Sequence, residues 1–312
     1  VSTVRYFRSD DAGAPTLSGE VGSLTNLLRK CLVGVGGVAY GAVPSAGWSE
    51  EFIGAASNIA VFKNNESEGG CGCYVRVNDN APGAAGAREA QITVYAAMTD
   101  INTGVAGTNT PWFRKSAALS NAARPWLVVA DGLTAWVYVL DTGDGAIDGN
   151  KNRLAGFGDY ACVSNTSHRY FCLGALTTNS ANAGADTAAF AMGSVSAAFS
   201  IYAEDGVSGI LTPAFAHWYG SGGAIGSSDY AAPLHPISGD SYYKANPQMR
   251  VGTRLVGAIR GLIFPYHSMI SFTQGVALPG YTGAVVVGVK MNFSNNANYY
   301  GQIAIDTLGP WP

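Results

Sequence analysis

Charge is scarce in this chain. Only 12% of its 312 residues are Asp, Glu, Lys or Arg, about half the usual share of a globular protein. The net charge is −3, and the basic pairs Arg29-Lys30 and Arg114-Lys115 stand alone. No basic stripe is present to displace counterions from phosphates, which argues against nucleic-acid binding. Long apolar runs are missing too. Leu255 to Phe264 is broken by Arg260 and Ala284 to Val289 is short, so no membrane-spanning helix is expected. The strand-like start, Val1-Ser2-Thr3-Val4-Arg5-Tyr6, lacks the apolar stretch of a signal peptide.

Cysteine is sparse and odd in number: Cys31, Cys71, Cys73, Cys162 and Cys172. That excludes a regular disulfide framework and points to synthesis in a reducing cytoplasm. Cys31 reads as a small core residue. Cys71-Gly72-Cys73 is tighter than the usual zinc spacing, with no second cysteine pair or nearby histidine. Cys162 and Cys172 flank an expected hairpin, where they could face each other as a disulfide or as two reduced thiols.

Catalytic signatures are absent as well. No Gly-x-Ser-x-Gly pentad occurs, and Gly220-Ser221-Gly222-Gly223 sits in a turn-rich loop. There is no phosphate-binding loop, and Gly34-Val35-Gly36-Gly37 follows a helix pattern instead of a strand. His168, His217, His235 and His267 form no metal-binding pattern and read as loop residues. A carboxylate pair for glycoside hydrolysis would be distant in sequence, and nothing nominates one. The chain is therefore read as a non-enzyme with no catalytic, cofactor-binding or metal residues assigned. Asp141-Thr142-Gly143-Asp144-Gly145-Ala146-Ile147-Asp148-Gly149-Asn150-Lys151-Asn152 carries oxygen ligands on a Gly-rich turn, as calcium requires. Its spacing departs from the EF-hand, and a polar turn explains the same residues. Trp218-Tyr219, Tyr242-Tyr243 and Tyr299-Tyr300 could stack on sugars or fill core and loop space.

What is present is β-pattern and glycine. The 41 glycines punctuate short alternating segments. Ile59 to Lys63 and Cys73 to Val77 read as a hairpin around residues 64–70. Gln91 to Ala96 reads as a strand. Trp126 to Ala130 and Ala135 to Leu140 flank Asp131-Gly132, a tight-turn signal. Further strands are expected at Arg169 to Leu173, Ala198 to Tyr202, Arg254 to Phe264, Ala284 to Met291 and Gln302 to Ile305. Asn80 to Ala87 reads as an exposed loop. One amphipathic helix is expected over residues 18–33, with Ser18 as N-cap, Glu20 in the first turn, Arg29-Lys30 in the last and Gly34 at the left-handed C′ position. Its buried face is Leu24, Leu27, Leu28, Cys31 and Leu32. The expected fold is mainly β, with sandwich-like antiparallel sheets and one short N-terminal helix. Residues 1–175 form an N-terminal β domain, and 176–312 a C-terminal β region with Gly/Ser/Tyr-rich loops or a continuation of the same domain.

Several blocks carry a resemblance. They are Gly13 to Val33, Gly47-Trp48, Asn58 to Phe62, Tyr74 to Val77, Met98 to Gly104, Arg124-Pro125-Trp126, Gly156-Phe157-Gly158-Asp159 and Ile305 to Trp311. In these the chain resembles a family of tailed-bacteriophage virion proteins. The segment Leu176 to Gly252 matches that pattern poorly. The resemblance implies a structural component of the virion, assembled in the host bacterial cytoplasm. Its expected partners are other virion structural proteins and symmetry-related copies of itself, with no nucleic acid and no membrane. A tail, neck or baseplate position is expected first and a capsid-surface position second. A carbohydrate- or receptor-binding module of the virion is the alternative of another class. No catalytic residue is carried over.

Overall fold

The computed structural model describes residues 2–56, 58–82, 88–108, 110–116, 118–140, 154–163, 168–174, 199–201, 214–215, 248–251, 254–263, 275, 277–278, 281–290 and 300–312. The fold is mainly β, with several antiparallel sheets and one 11-residue helix near the N-terminus.

Its centre is a six-stranded antiparallel sheet in the order Arg5–Arg8, Trp126–Ala130, Thr134–Val139, Leu154–Asp159, Tyr170–Leu173 and Phe199–Ile201. The inner strands are mostly apolar and buried along their length. Side chains alternate between the two faces of a strand, so such a pattern requires cover on both sides. Val128, Ala130, Ala135, Val137, Val139 and Phe157 point into one core. Leu127, Val129, Trp136, Tyr138, Leu154 and Phe171 point into a second.

The first core is closed by a five-stranded sheet in the order Trp112–Ser116, Arg88–Tyr95, Tyr74–Pro82, Ile59–Lys63 and Ser49–Ile53. It supplies Phe62, Val75, Val77, Ile92, Val94 and Phe113. The second core is closed by C-terminal residues, among them Val256, Ile259, Leu262, Val285, Val287 and Ile305. Leu262–Ile263, Tyr300–Asp306, Tyr281–Lys290 and Ala277–Leu278 form one four-stranded sheet. Ala161–Cys162, Arg254–Ala258, Gln248–Val251 and Ala214–Phe215 form another.

The expected helix face is buried: Leu24, Leu27, Leu28, Cys31 and Leu32 all lie in the first core. Each leucine contributes about 1.5–3 kcal/mol by leaving water. The helix limits and caps differ from expectation. The α-helix spans Ser23–Leu28 and continues as a π-helical turn over Arg29–Val33. Ser18 is not its N-cap, and Glu20 is not in its first turn. The cause is tertiary. Gly19 donates its N–H to the Ser120 carbonyl at 2.8 Å, and a Cβ there would lie 1.8 Å from the Ala118 carbonyl oxygen. That close approach, with the Leu17–Arg124 bridge, draws the preceding residues out of the helix. Asp79, from the adjacent strand, caps the helix instead, its Oδ2 accepting the Leu24 N–H at 2.7 Å. Arg29 does not serve the helix dipole but forks onto Glu50, with Nη2 and Nε each 2.8 Å from a carboxylate oxygen. Gly34 ends the turn at φ 69° and ψ −165°, with positive φ but outside the expected left-handed helical well.

Two strand expectations also change. Residues 80–82 continue the strand Tyr74–Pro82 instead of beginning a loop, with a bulge between Asn78 and Ala81. The single strand expected over Arg254 to Phe264 is two, Arg254–Ala258 and Leu262–Ile263. The chain turns between them and Arg260 pairs with Asp131. The Asp131-Gly132 hairpin forms, with Ala130 opposite Ala135. Its turn is held by the Asp131 side chain, whose Oδ1 accepts the Leu133 and Thr134 N–H groups at 2.9 and 2.8 Å.

Candidate functional site: two cysteines and a buried aspartate

The strand Ile59–Lys63 runs into a loop at Asn64, and its partner strand begins at Tyr74. The intervening loop is built by its own polar residues. Asn65 Oδ1 accepts the Ser67 N–H at 3.0 Å and opens a 3-10 turn over Glu66–Glu68. Gly72 takes φ 77°, in the left-handed region that side chains disfavour. Its N–H donates to Asn64 Oδ1 at 2.9 Å. Cys71 and Cys73 flank this reversal.

Asp159 ends the central strand Leu154–Asp159 and is 1% exposed. Its two carboxylate oxygens have different duties. Oδ2 accepts the Cys71 N–H at 2.9 Å and pairs with Arg169 Nε at 3.1 Å. Oδ1 accepts from Asn64 Nδ2 at 2.6 Å and faces Cys71 Sγ at 2.8 Å and Cys73 Sγ at 3.9 Å. Arg169 also donates to the Gly69 carbonyl, and Asn64 Nδ2 to the Leu133 carbonyl. The cluster therefore joins the loop of the outer sheet to the end of a central strand. The ligand atoms of Cys71, Cys73 and Asp159 all lie within 4.8 Å of one another.

Burial sets the protonation states. Desolvation pushes the Cys73 thiol well above its ordinary range, and the neighbouring Cys71 and Asp159 add to this. Desolvation also raises Asp159, opposed by the Cys71 thiol hydrogen bond and the Arg169 charge. Cys71 is half-buried and Cys73 buried. Two cysteines, one oriented carboxylate and a nearby guanidinium bring three ligand atoms within 4.8 Å of one another.

Two further buried charge clusters tie distant segments. Asp79 pairs with Lys115 at 2.6 Å, both side chains 0% exposed, and Lys115 Nζ also donates to the Glu20 carbonyl and to Ser23 Oγ. Asp131 pairs with Arg260, while its carbonyl accepts the Trp48 indole N–H at 2.7 Å.

The other residues singled out in the sequence fall as follows. Cys162 and Cys172 do not face each other. Cys162 lies on a short strand opposite Gly257, and Cys172 pairs across the central sheet with Phe157. None of the five cysteines is bridged. Cys31 is a buried core residue, as expected. His168 is half-buried. The Asp141–Asn152 loop, residues 176–189 and 220–223, His217, His235, His267, Trp218-Tyr219, Tyr242-Tyr243 and Tyr299 lie outside the described residues, while Tyr300 opens the strand Tyr300–Asp306. Sequence reasoning missed Asp159, Asn64 and Arg169. The only local hints were the closely spaced cysteines and the Gly156 to Asp159 block. No protein-family model and no curated protein matches this chain.

Proposed function

We propose that the chain is a structural component of a tailed-bacteriophage virion, at a tail, neck or baseplate position, assembling with copies of itself and with other virion proteins into a symmetric ring or lattice. The observation that carries this reading is where the scarce charge goes. The chain has only 18 Lys and Arg and 21 Asp and Glu, and among the described residues Asp79, Glu89, Arg114, Lys115, Asp131, Asp159 and Arg260 are buried. Six of these seven pair with one another or with a helix N-terminus, and Asp159 pairs with Arg169. The charges brace the interior and leave the surface still poorer in charge. Charge on the surface keeps proteins apart and soluble, so a charge-poor surface suits one covered by neighbours. Val35, Val105 and Leu119 are more than half exposed, at 76%, 63% and 53%. The resemblance in Gly13 to Val33 and Ile305 to Trp311 supplies the virion context.

The test is quantitative mass spectrometry on purified particles of the phage that encodes the chain, with antibody labelling in electron micrographs. Many copies per particle, with label on the tail, neck or baseplate, are expected. Label spread over the capsid would replace that position with the capsid surface. One or two copies would overturn the ring or lattice, and absence from particles would overturn the virion reading.

A further inference from the structure

We propose that Cys71, Cys73 and Asp159 form a binding site for one divalent thiophilic cation, zinc being the ion that fits. The ligands are the two Sγ atoms and Asp159 Oδ1. This inference does not depend on the virion reading.

Four observations converge on it. The first is spacing. Zinc binds thiolate sulfur at about 2.3 Å and carboxylate oxygen at about 2.0–2.2 Å, so ligands of one ion stand no more than about 4.6 Å apart. The three ligand atoms here lie within 4.8 Å of one another, so a side-chain adjustment of a few tenths of an ångström, about 0.2 Å, brings them within that limit.

The second is an oversubscribed acceptor. A carboxylate oxygen has about two lone-pair sites. Asp159 Oδ1 faces three donors, Asn64 Nδ2 at 2.6 Å, Cys71 Sγ at 2.8 Å and Cys73 Sγ at 3.9 Å. A cation between the sulfurs and Oδ1 leaves Asn64 with one lone pair and gives the other to the metal.

The third is the support behind the carboxylate. Oδ2 is held from the far side by the Cys71 N–H and by Arg169. Such outer contacts orient ligating carboxylates in metal sites and tune their affinity. Arg169 thus sits on the oxygen that the metal does not use.

The fourth is charge. The ligands Cys71, Cys73 and Asp159, as two thiolates and a carboxylate, carry three negative charges. A divalent cation and Arg169 carry three positive charges, so the occupied cluster is neutral. Binding forms two metal–sulfur bonds and releases two thiol protons to solvent, with no change in oxidation state. The half-buried Cys71 gives the ion a way in, and a water would be the fourth ligand, as in zinc sites with three protein ligands. The one-residue spacing of the cysteines works here because Gly72, at φ 77°, reverses the chain between them.

The experiment uses the full chain, reduced and stripped with a chelator, then titrated with Zn2+ against a chromophoric chelator. Cd2+ serves as a second probe through its thiolate charge-transfer absorption. One ion per chain is expected. Cys71→Ser and Cys73→Ser should each weaken binding at least about tenfold, the lower limit for disturbing a metal's surroundings. Cys162→Ser, outside the cluster, should bind as the unaltered chain does. Circular dichroism of each variant reports whether the fold survives. An arm that needs no variant is alkylation of the unaltered chain, in which Zn2+ should protect Cys71 and leave Cys162 as reactive as before. The proposal is overturned by absence of stoichiometric zinc, by equal affinity in folded Cys71→Ser and Cys73→Ser, or by Cys71 alkylation at an unchanged rate with zinc bound.

Discussion

Replacing Lys115 by Met should be among the most damaging single changes in the N-terminal half. The methionine keeps most of the apolar stem and removes the charge. Lys115 and Asp79 are both 0% exposed and 2.6 Å apart. The lysine ammonium also satisfies the Glu20 carbonyl and Ser23 Oγ. Without it, the Asp79 carboxylate remains buried, held from the helix side by the Leu24 and Thr25 N–H groups. Removing one partner of a buried ion pair costs about 3–5 kcal/mol. At about 2 °C per kcal/mol for a chain of this size, the melting temperature should fall by about 6–10 °C. The loss should depend on pH. Desolvation raises the Asp79 pKa in the folded state, and Lys115 opposes that rise. A carboxyl whose folded pKa exceeds its unfolded value favours folding below the unfolded pKa, and that contribution is lost as pH rises through the folded pKa. Deleting Lys115 moves the folded pKa higher still and widens this window. Lys115→Met should therefore be closest to the unaltered protein in acid and furthest from it at neutral pH. The double variant Lys115→Met, Asp79→Asn should recover part of the loss. Urea unfolding at several pH values measures all of this. A Lys115→Met loss below about 1 kcal/mol, the range of an exposed pair, or one that does not change with pH, would refute the reasoning.

Gly156→Ala should lose about 1–3 kcal/mol by overpacking, because its Cβ would stand 2.1 Å from Trp136 Cζ3. The indole cannot retreat without giving up its 3.0 Å hydrogen bond to the Arg260 carbonyl, and denaturant midpoints will show the loss. Trp48→Phe should cost about 1–3 kcal/mol, since the Asp131 carbonyl loses its 2.7 Å donor inside the core; melting curves check it. Native alkylation followed by peptide mass mapping should modify Cys71 and Cys162, which are half-buried, and spare Cys31, Cys73 and Cys172. Burial pushes the thiols of those three up and keeps them protonated, so all five should react only after denaturation.

Much of the scaffold could be read locally. The short apolar segments Ile59 to Lys63, Gln91 to Ala96 and Arg169 to Leu173 named real strands, and the leucine face of the first helix is buried. The expected hairpin at Asp131-Gly132 forms between Trp126–Ala130 and Thr134–Val139, and the structure sets its register with Ala130 opposite Ala135. The candidate site was not legible in this way. Cys71 lies 88 residues from Asp159, and the two meet only because the outer sheet packs its loop against the end of a central strand. Cys162 and Cys172, ten positions apart, suggested a pair. The strands that carry them join different sheets.

By itself, the sequence determined what each short segment would be. The period-two patterns, the glycine punctuation and the leucine stripe act over a few residues, where backbone geometry and side-chain direction decide. Only the tertiary structure decided where the helix begins, which carboxylate caps it and which residues surround Asp159. The physical reason is that these outcomes depend on the order of strands in the sheets and on which face each sheet buries. Burial is also what makes the pairings strong. Asp79 with Lys115, and Asp159 with Asn64 and Arg169, are held away from water by layers drawn from distant parts of the chain.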